Sequence, residues 1–299
     1  MAQADNCLVA NNEIMGGPAG NTNYSQAGIY MSTGTTNCKI RANKIHDWFY
    51  VTLTGGWGCW GIYFASDATT VNEISNNLIY NIKSDSYTSG LSVDNLYGVY
   101  ITSGGNIKFY HNTINMQGNF TSASYTNATA CLAINSGVTL MDVQNNIFKN
   151  SLQPSAAYTS YTYDIQCGGG PTTFSNLNYN DYWDDGNGPN IGYLNAIQYA
   201  TFAAWQTATG MEANGINVNP AFVSATDLHP TAVGLQKACP YIALVPSDYS
   251  GTLRTNPTDI GGYQVSAGTQ SVTTNAAGGV TSTTATLNGS ITANNLSVI

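Results

Sequence analysis

One asparagine recurs along this chain at a nearly constant interval. The intervals are 31, 34, 35, 34 and 34 residues, and the members are Asn12, Asn43, Asn77, Asn112, Asn146 and Asn180. A period of about 20 to 50 residues is typical of solenoids, propellers and arrays. The chain is therefore predicted to repeat one small structural unit along its length.

Apolar residues flank each asparagine at fixed offsets. Three residues before the asparagines lie Val9, Ile40, Ile74, Phe109, Val143 and Leu177, and two residues after them lie Ile14, Ile45, Ile79, Ile114, Phe148 and Tyr182. Alternation of apolar and polar positions indicates strands with one buried face. Each asparagine is predicted to sit at a bend between two short strands.

A second strand register is formed by residues 28–31, 61–64, 98–101, 131–134 and 164–167. Its first apolar member lies 13 to 15 residues before the next asparagine, whereas the path from each asparagine onward to that register takes 17 to 22 residues. Short strands that return in parallel without helices predict an all-β solenoid, a parallel β-helix of about six to eight coils with loops on one edge. The asparagine column then becomes an amide ladder.

Two further columns follow from the same register. Lys39, Glu73, Lys108 and Asp142 lie four residues before successive asparagines and alternate in sign, so outward stacking would pair opposite charges. Cys7 and Cys38 share one column as well. Either a disulfide or two stacked thiols fits their expected separation of about 5 Å.

Composition limits the function classes. Only 8% of the residues are charged and the net charge is −8, which argues against nucleic acid as a partner. No apolar run is long enough to span a bilayer, so membrane insertion is not expected. Residues 1–5 lack a basic and an apolar region, the marks of a signal peptide. We expect a piece of a larger secreted or cell-surface protein, with neighbouring domains as partners.

The C-terminal third carries a family resemblance. Residues 202–206, 219–223 and 227–229, followed by Cys-Pro-Tyr-Ile at 239–242 and Asp-Ile-Gly-Gly-Tyr at 259–263, resemble the closing segment of secreted right-handed parallel β-helix proteins related in fold to pectate lyases. The resemblance implies right-handed coils over about residues 7–264. Residues 281–291 resemble the first strands of fibronectin type III-like modules. The expected domains are 1–265, the β-helix with its closing segment, and 266–299, a linker with a truncated sandwich.

The family that this chain resembles includes polysaccharide-degrading enzymes, and the sequence can be searched for residues of their catalytic sites. Lyases of this kind use a basic residue beside carboxylate-bound calcium, and no carboxylate cluster is expected near Arg41 or Arg254. Glycosidases need two carboxyl groups about 5–9.5 Å apart. The dense acidic group Asp181, Asp184 and Asp185 is the candidate for a catalytic pair or a calcium site, with a solvated turn as the alternative. No other cofactor is expected.

Aromatic residues give a different candidate site. Tyr30, Tyr63 and Tyr100 fall in one outward column, with Trp57 and Trp60 nearby. Such rings suit contact with a polysaccharide or surface glycan, whereas the alternative is that long loops bury them. The first hypothesis is a non-catalytic, adhesin-like bacterial surface module that serves as a rigid scaffold and binds glycans. The alternative is a polysaccharide lyase or glycoside hydrolase, which leaves enzymatic activity an open question.

Overall fold

The computed structural model describes residues 4–16, 18–19, 25–50, 57–120, 126–154, 159–265 and 271–292. In this part of the chain, short strands stack in parallel into three long sheets, which together form an all-β solenoid. The predicted fold class is confirmed, and so is the repeat that the asparagine spacing indicates.

Sheets A and B lie on either side of the asparagines. Sheet A consists of β1 (Leu8–Ala10), β5 (Lys39–Arg41), β8 (Asn72–Ser75), β11 (Ile107–Tyr110), β14 (Met141–Gln144) and β17 (Phe174–Asn178). Sheet B consists of β2 (Glu13–Met15), β6 (Lys44–Tyr50), β9 (Leu78–Lys83), β12 (Thr113–Phe120), β15 (Ile147–Pro154) and β18 (Asp181–Asp184), and β3 (Pro18–Ala19) also pairs with β6. Two residues separate A from B in every coil, because the bend is tight.

Sheet C is the third face of the solenoid. Its strands are β4 (Gln26–Thr35), β7 (Cys59–Ser66), β10 (Leu96–Ser103), β13 (Thr126–Ile134), β16 (Thr159–Cys167) and β19 (Pro189–Leu194), to which β20 (Ile197–Tyr199) adds an antiparallel edge. The segments that connect B to C vary in length from coil to coil, as the sequence predicts. After β20 the chain forms helix α1 (Phe202–Thr209).

The solenoid has about four turns, so the expectation of six to eight coils is wrong. In each sheet, four of the described strands have parallel partners on both sides, and the first and last have one. The shortfall has a simple cause. Beyond residue 200 the chain forms α1 and then an irregular segment, with short 3-10 turns such as Val233–Leu235, instead of further regular coils.

The asparagine ladder is present along the whole solenoid. Each Oδ1 accepts hydrogen bonds from both the backbone N–H and the side-chain amide of the preceding asparagine, at 2.8–3.2 Å. Asn12 is exposed, whereas Asn43, Asn77, Asn112, Asn146 and Asn180 are fully buried. Burying so many amides costs little because they satisfy one another.

The residue before each asparagine makes the bend. These residues have left-handed backbone conformations with φ between 51° and 61°, and they are Asn11, Ala42, Asn76, His111, Asn145 and Tyr179. Asparagine tolerates this conformation better than most residues. His111 replaces an asparagine there and is buried, with its Nδ1 3.3 Å from the carbonyl oxygen of Gly261. Its role at the bend is structural.

The core is a set of inward apolar columns. The flanking positions predicted from the asparagines, such as Ile40, Ile74 and Phe109 on sheet A and Ile79 and Ile114 on sheet B, are fully buried in one cluster. On sheet C, Gly61 lies within β7, close to the neighbouring strand and to sheet B. A Cβ at Gly61 would come within 2.6 Å of both the Gly98 carbonyl oxygen and Ile79 Cγ2, so only glycine fits.

Residues 210–265 cover the bend between sheets A and B. Arg254 is buried there and donates hydrogen bonds to Asn76 Oδ1 at 3.1 Å and to the Gly261 carbonyl oxygen at 2.8 Å. It therefore fastens the covering segment to the bend column. Because Asn76 Oδ1 and backbone carbonyl oxygens accept its hydrogen bonds, the guanidinium group of Arg254 has a structural role.

The cysteine pair and the C-terminal tail complete the described structure. Cys7 and Cys38 stack with their Sγ atoms 2.6 Å apart, as their shared column predicts. β21 (Ser271–Gly278) and β22 (Thr286–Thr292) form an antiparallel hairpin. The fibronectin-like identity of the tail and the boundary at residue 265 stay predictions. No helix in the described ranges is long and apolar enough to cross a membrane.

Candidate functional site: the aromatic face of sheet C

The outer face of sheet C carries two aromatic columns. Tyr30, Tyr63 and Tyr100 are register partners on successive strands, which confirms the predicted column. Trp60 and Tyr97 are partners in the neighbouring column. The structure thus brings four of the five predicted ligand-binding residues into one cluster.

The Tyr30 and Tyr63 rings present their edges, and not their faces, to solvent. The Tyr30 and Tyr63 centroids are 4.4 Å apart with an interplanar angle of 9°, and this distance is close to the spacing of neighbouring strands. The two rings therefore stack on each other along the solenoid axis. Tyr63 meets Tyr100 edge to face at 5.8 Å. Tyr30 and Tyr63 thus form a stacked pair that turns its edges outward, and Tyr100 does not continue the stack.

Exposure falls steeply along this row. Tyr30 is 48% exposed, Tyr63 is half-buried, and Tyr100 is 1% exposed. Trp60 is also buried, and Trp57 packs half-buried against the main core. Of the predicted binding residues, therefore, Tyr30 and the rim of Tyr63 are the ones that a glycan can reach. Burial of Trp60 and Tyr100 agrees with the alternative that a loop covers them.

The covering loop comprises residues 84–95. The Asn95 side chain organises it: its Oδ1 accepts from the backbone N–H groups of Tyr87 and Thr88, and its amide donates to the carbonyl oxygens of Thr88 and Gly90. Leu91, at its tip, packs against the aromatic cluster. The loop thus closes the middle of the face and leaves its Tyr30 end open.

Gln166 continues the tyrosine column but is not among the residues predicted to bind. It pairs in register with Ala133, which pairs with Tyr100. Its side chain is fully buried, and neither amide atom has a hydrogen-bond partner among the described residues. The signal was present in the sequence, because the second strand register places Gln166 in this column.

The three acidic candidates do not form a common site. Asp181 is buried and its Oδ1 accepts from the Val218 N–H at 3.0 Å. Asp184 accepts from the Thr162 hydroxyl at 2.6 Å, and burial raises the pKa of this carboxyl to about 7. Asp185 is exposed and accepts from the indole N–H of Trp183 at 3.0 Å.

The separation of these carboxyls follows from strand geometry, since neighbouring side chains point to opposite faces. In the described ranges, no three His, Cys, Asp or Glu side chains are grouped as metal ligands. The solvated-turn interpretation holds for Asp185 alone. Calcium binding by these residues stays a prediction.

A different acid, Asp164, lies inside the solenoid. By register it stands where earlier coils carry Gly61, Gly98 and Cys131. It is fully buried, and neither carboxyl oxygen has a hydrogen-bond partner among the described residues. Burial, and after it the negative charge of Asp184, raises the pKa of Asp164 well above its usual value. Burial without a hydrogen-bond partner therefore disfavours the charged form of this carboxyl.

Comparison of the chain with protein-family models, with curated proteins and with solved structures gave no match. The fold therefore rests on the strand pairing described above. The resemblance to pectate-lyase-like β-helices contributes only to the proposal that follows.

Proposed function

We propose that this chain is a rigid β-helical scaffold module of a secreted or cell-surface protein, adhesin-like in type, that contacts glycans at the Tyr30 end of its aromatic face. The observation that carries the proposal is the exposed Tyr30 ring, which is fixed by its stacking on Tyr63. Aromatic stacking and the strand beneath it hold the ring in one orientation, which reduces the entropy that a ligand must overcome.

The scaffold part of the proposal draws on the ladder and the core. Both run through successive coils without a break, from Asn12 to Asn180 and along the inward apolar columns. Each coil contacts its neighbours only, as in other solenoids, so the faces form extended surfaces of fixed shape. Sugars suit such a face because their C–H groups pack on rings while their hydroxyls bond to amides and hydroxyls.

A glycan array tests this function directly. We expect binding of the wild-type chain and a loss of about three- to tenfold in affinity for Tyr30→Ala, the range that one aromatic contact contributes. Tyr241→Ala is the matched control, because Tyr241 is 39% exposed and lies in the C-terminal covering segment. Equal signals for Tyr30→Ala and Tyr241→Ala, or no glycan above background, would sink the proposal.

One observation favours the hydrolase alternative. The pKa of about 7 that burial gives Asp184 suits a general acid at neutral pH. The same glycans are therefore assayed for new reducing ends and for unsaturated uronate absorbance. Turnover by the wild-type chain that disappears in Asp184→Asn would replace the scaffold proposal by the enzymatic one.

A further inference from the structure

A groove runs along the outer face of sheet A, between its strands and residues 244–247. It consists of a cavity of about 370 Å³ and an adjoining one of about 190 Å³, and Leu244 lines both. The larger volume lies in the range of small-molecule sites. This face is separate from the aromatic face of sheet C.

Charged residues line the groove in an ordered way. Arg41 reaches diagonally to Glu73 at 2.5 Å, and the second Glu73 oxygen accepts from the Ser75 hydroxyl at 2.6 Å. Glu73 is buried, so its negative charge is neutralised inside the floor of the groove. Arg41, near which no carboxylate cluster is expected from the sequence, therefore forms an ion pair with the single carboxylate of Glu73.

The next two charged residues along sheet A also form an ion pair. Lys108 contacts Asp142 at 3.1 Å, and the Tyr110 hydroxyl donates to the same carboxylate oxygen at 2.5 Å. The two carboxylates of the row are thus each matched by a cation on the neighbouring strand. Alternation of sign down the column, predicted from the sequence, is confirmed by the register of Lys39, Glu73, Lys108 and Asp142.

Lys39 is the cation that this pairing leaves over. It lines the larger cavity and is exposed, and its ammonium group has no ion-pair or hydrogen-bond partner among the described residues. The groove therefore carries one uncompensated positive charge on a protein of net charge −8. Around it lie the amides of Asn6 and Asn37 and the apolar side chains of Val71 and Leu244.

We propose that this groove binds a carboxylate-bearing sugar unit, with its carboxylate on Lys39. The hydroxyl groups are served by the side chain of Asn6 and by the part of the Asn37 amide that is left after its hydrogen bond to Asp5 Oδ1 at 3.1 Å. An apolar face of the ring packs against Leu244. A charge-assisted hydrogen bond to an ammonium group is among the stronger polar contacts. The site does not depend on the glycan contact proposed for Tyr30.

Methyl glucuronide and methyl glucoside form a matched pair of probes, which differ in the carboxylate. In the NMR spectrum of the full chain, we expect methyl glucuronide to shift the methyl signals of Val71 and Leu244 in a saturable manner. Methyl glucoside should bind about tenfold more weakly or not detectably, because it lacks the charged contact.

Lys39→Met should weaken methyl glucuronide binding about tenfold while the methyl spectrum of the core stays unchanged. Lys237→Met removes the same charge from an exposed position outside the groove and should bind like wild type. Absence of saturable shifts at Val71 and Leu244, equal binding of both probes, or unchanged affinity in Lys39→Met would overturn the proposal. Loss of Tyr30-dependent glycan binding alone would leave it standing.

Discussion

The side-chain amide of Asn180 donates to Glu212 Oε1 at 2.6 Å, so a carboxylate takes the place of a seventh asparagine at the C-terminal end of the ladder. The same oxygen accepts from the Tyr182 hydroxyl at 2.6 Å. Glu212 is fully buried and has a left-handed backbone with φ of 59°. Its side chain therefore ends the chain of amide bonds by accepting from both Asn180 and Tyr182.

Replacing this cap should destabilise the whole solenoid. Glu212→Leu removes the acceptor of the Tyr182 hydroxyl and of one N–H of the Asn180 amide, whose nitrogen also donates to the Val143 carbonyl oxygen. Each buried donor that loses its acceptor costs about 1–3 kcal/mol. We expect a loss of about 2–5 kcal/mol in the free energy of unfolding, measured by denaturant titration. Glu13→Gln is the control, because Glu13 is exposed and bonds to Lys44. A loss no larger than that of the control would show that the cap is dispensable.

The half-buried Asp184 carboxyl should make stability depend on pH. Its pKa is about 7 in the folded chain against 3.8 for an ordinary Asp, so the folded state holds the proton more tightly. Its favourable contribution is present below about pH 3.8 and is lost as the pH rises to 7.

Asp184→Asn should remove this dependence. Relative to wild type, the variant should gain about 1–3 kcal/mol in the free energy of unfolding between pH 4 and pH 7. Urea titrations at several pH values measure the difference. Asp185→Asn, at an exposed position, is the control, and the pH-dependent change for Asp184→Asn should exceed the change that this control shows. A pH-independent difference for Asp184→Asn would contradict the burial of this carboxyl.

Sheet C should not accommodate a side chain at position 61. Gly61→Ala places a Cβ within 2.6 Å of the Gly98 carbonyl oxygen, and backbone must move to admit it. We expect a loss of about 1–3 kcal/mol, the cost of overpacking a core. Gly137→Ala is the matched control, since nothing lies within 4 Å of its added Cβ. Thermal unfolding of the two variants compares them, and equal midpoints would refute the close approach.

Most of the fold could be predicted from sequence because a solenoid is locally determined. Each coil uses the same few contacts, so the spacing of Asn43, Asn77 and Asn112 fixes strand, bend and register at once. Glu212 escaped prediction because it is not an asparagine, although it follows Asn180 by 32 residues. The interval from Asn180 to Glu212 fits the repeat period, but a search for recurring asparagines does not find a glutamate at this position.

The candidate sites were harder to predict, for two physical reasons. Burial of Trp60 and Tyr100 depends on where residues 84–95 fold back, and that loop follows no period. The pairing of Arg41 with Glu73 is diagonal, because a long side chain reaches past its own column. The sequence columns predict which residues pair across strands. How far a long side chain extends, and which residues a loop covers, are known only from the packed structure.

The exchange rates of the asparagine side-chain amides test the ladder most directly. In protein labelled with ¹⁵N-asparagine, we predict that the amides of Asn77, Asn112, Asn146 and Asn180 exchange with solvent at least about a hundredfold more slowly than that of exposed Asn214, because exchange requires the stack to open locally. Amides at these four positions that exchange as fast as Asn214 would contradict a continuous hydrogen-bonded ladder.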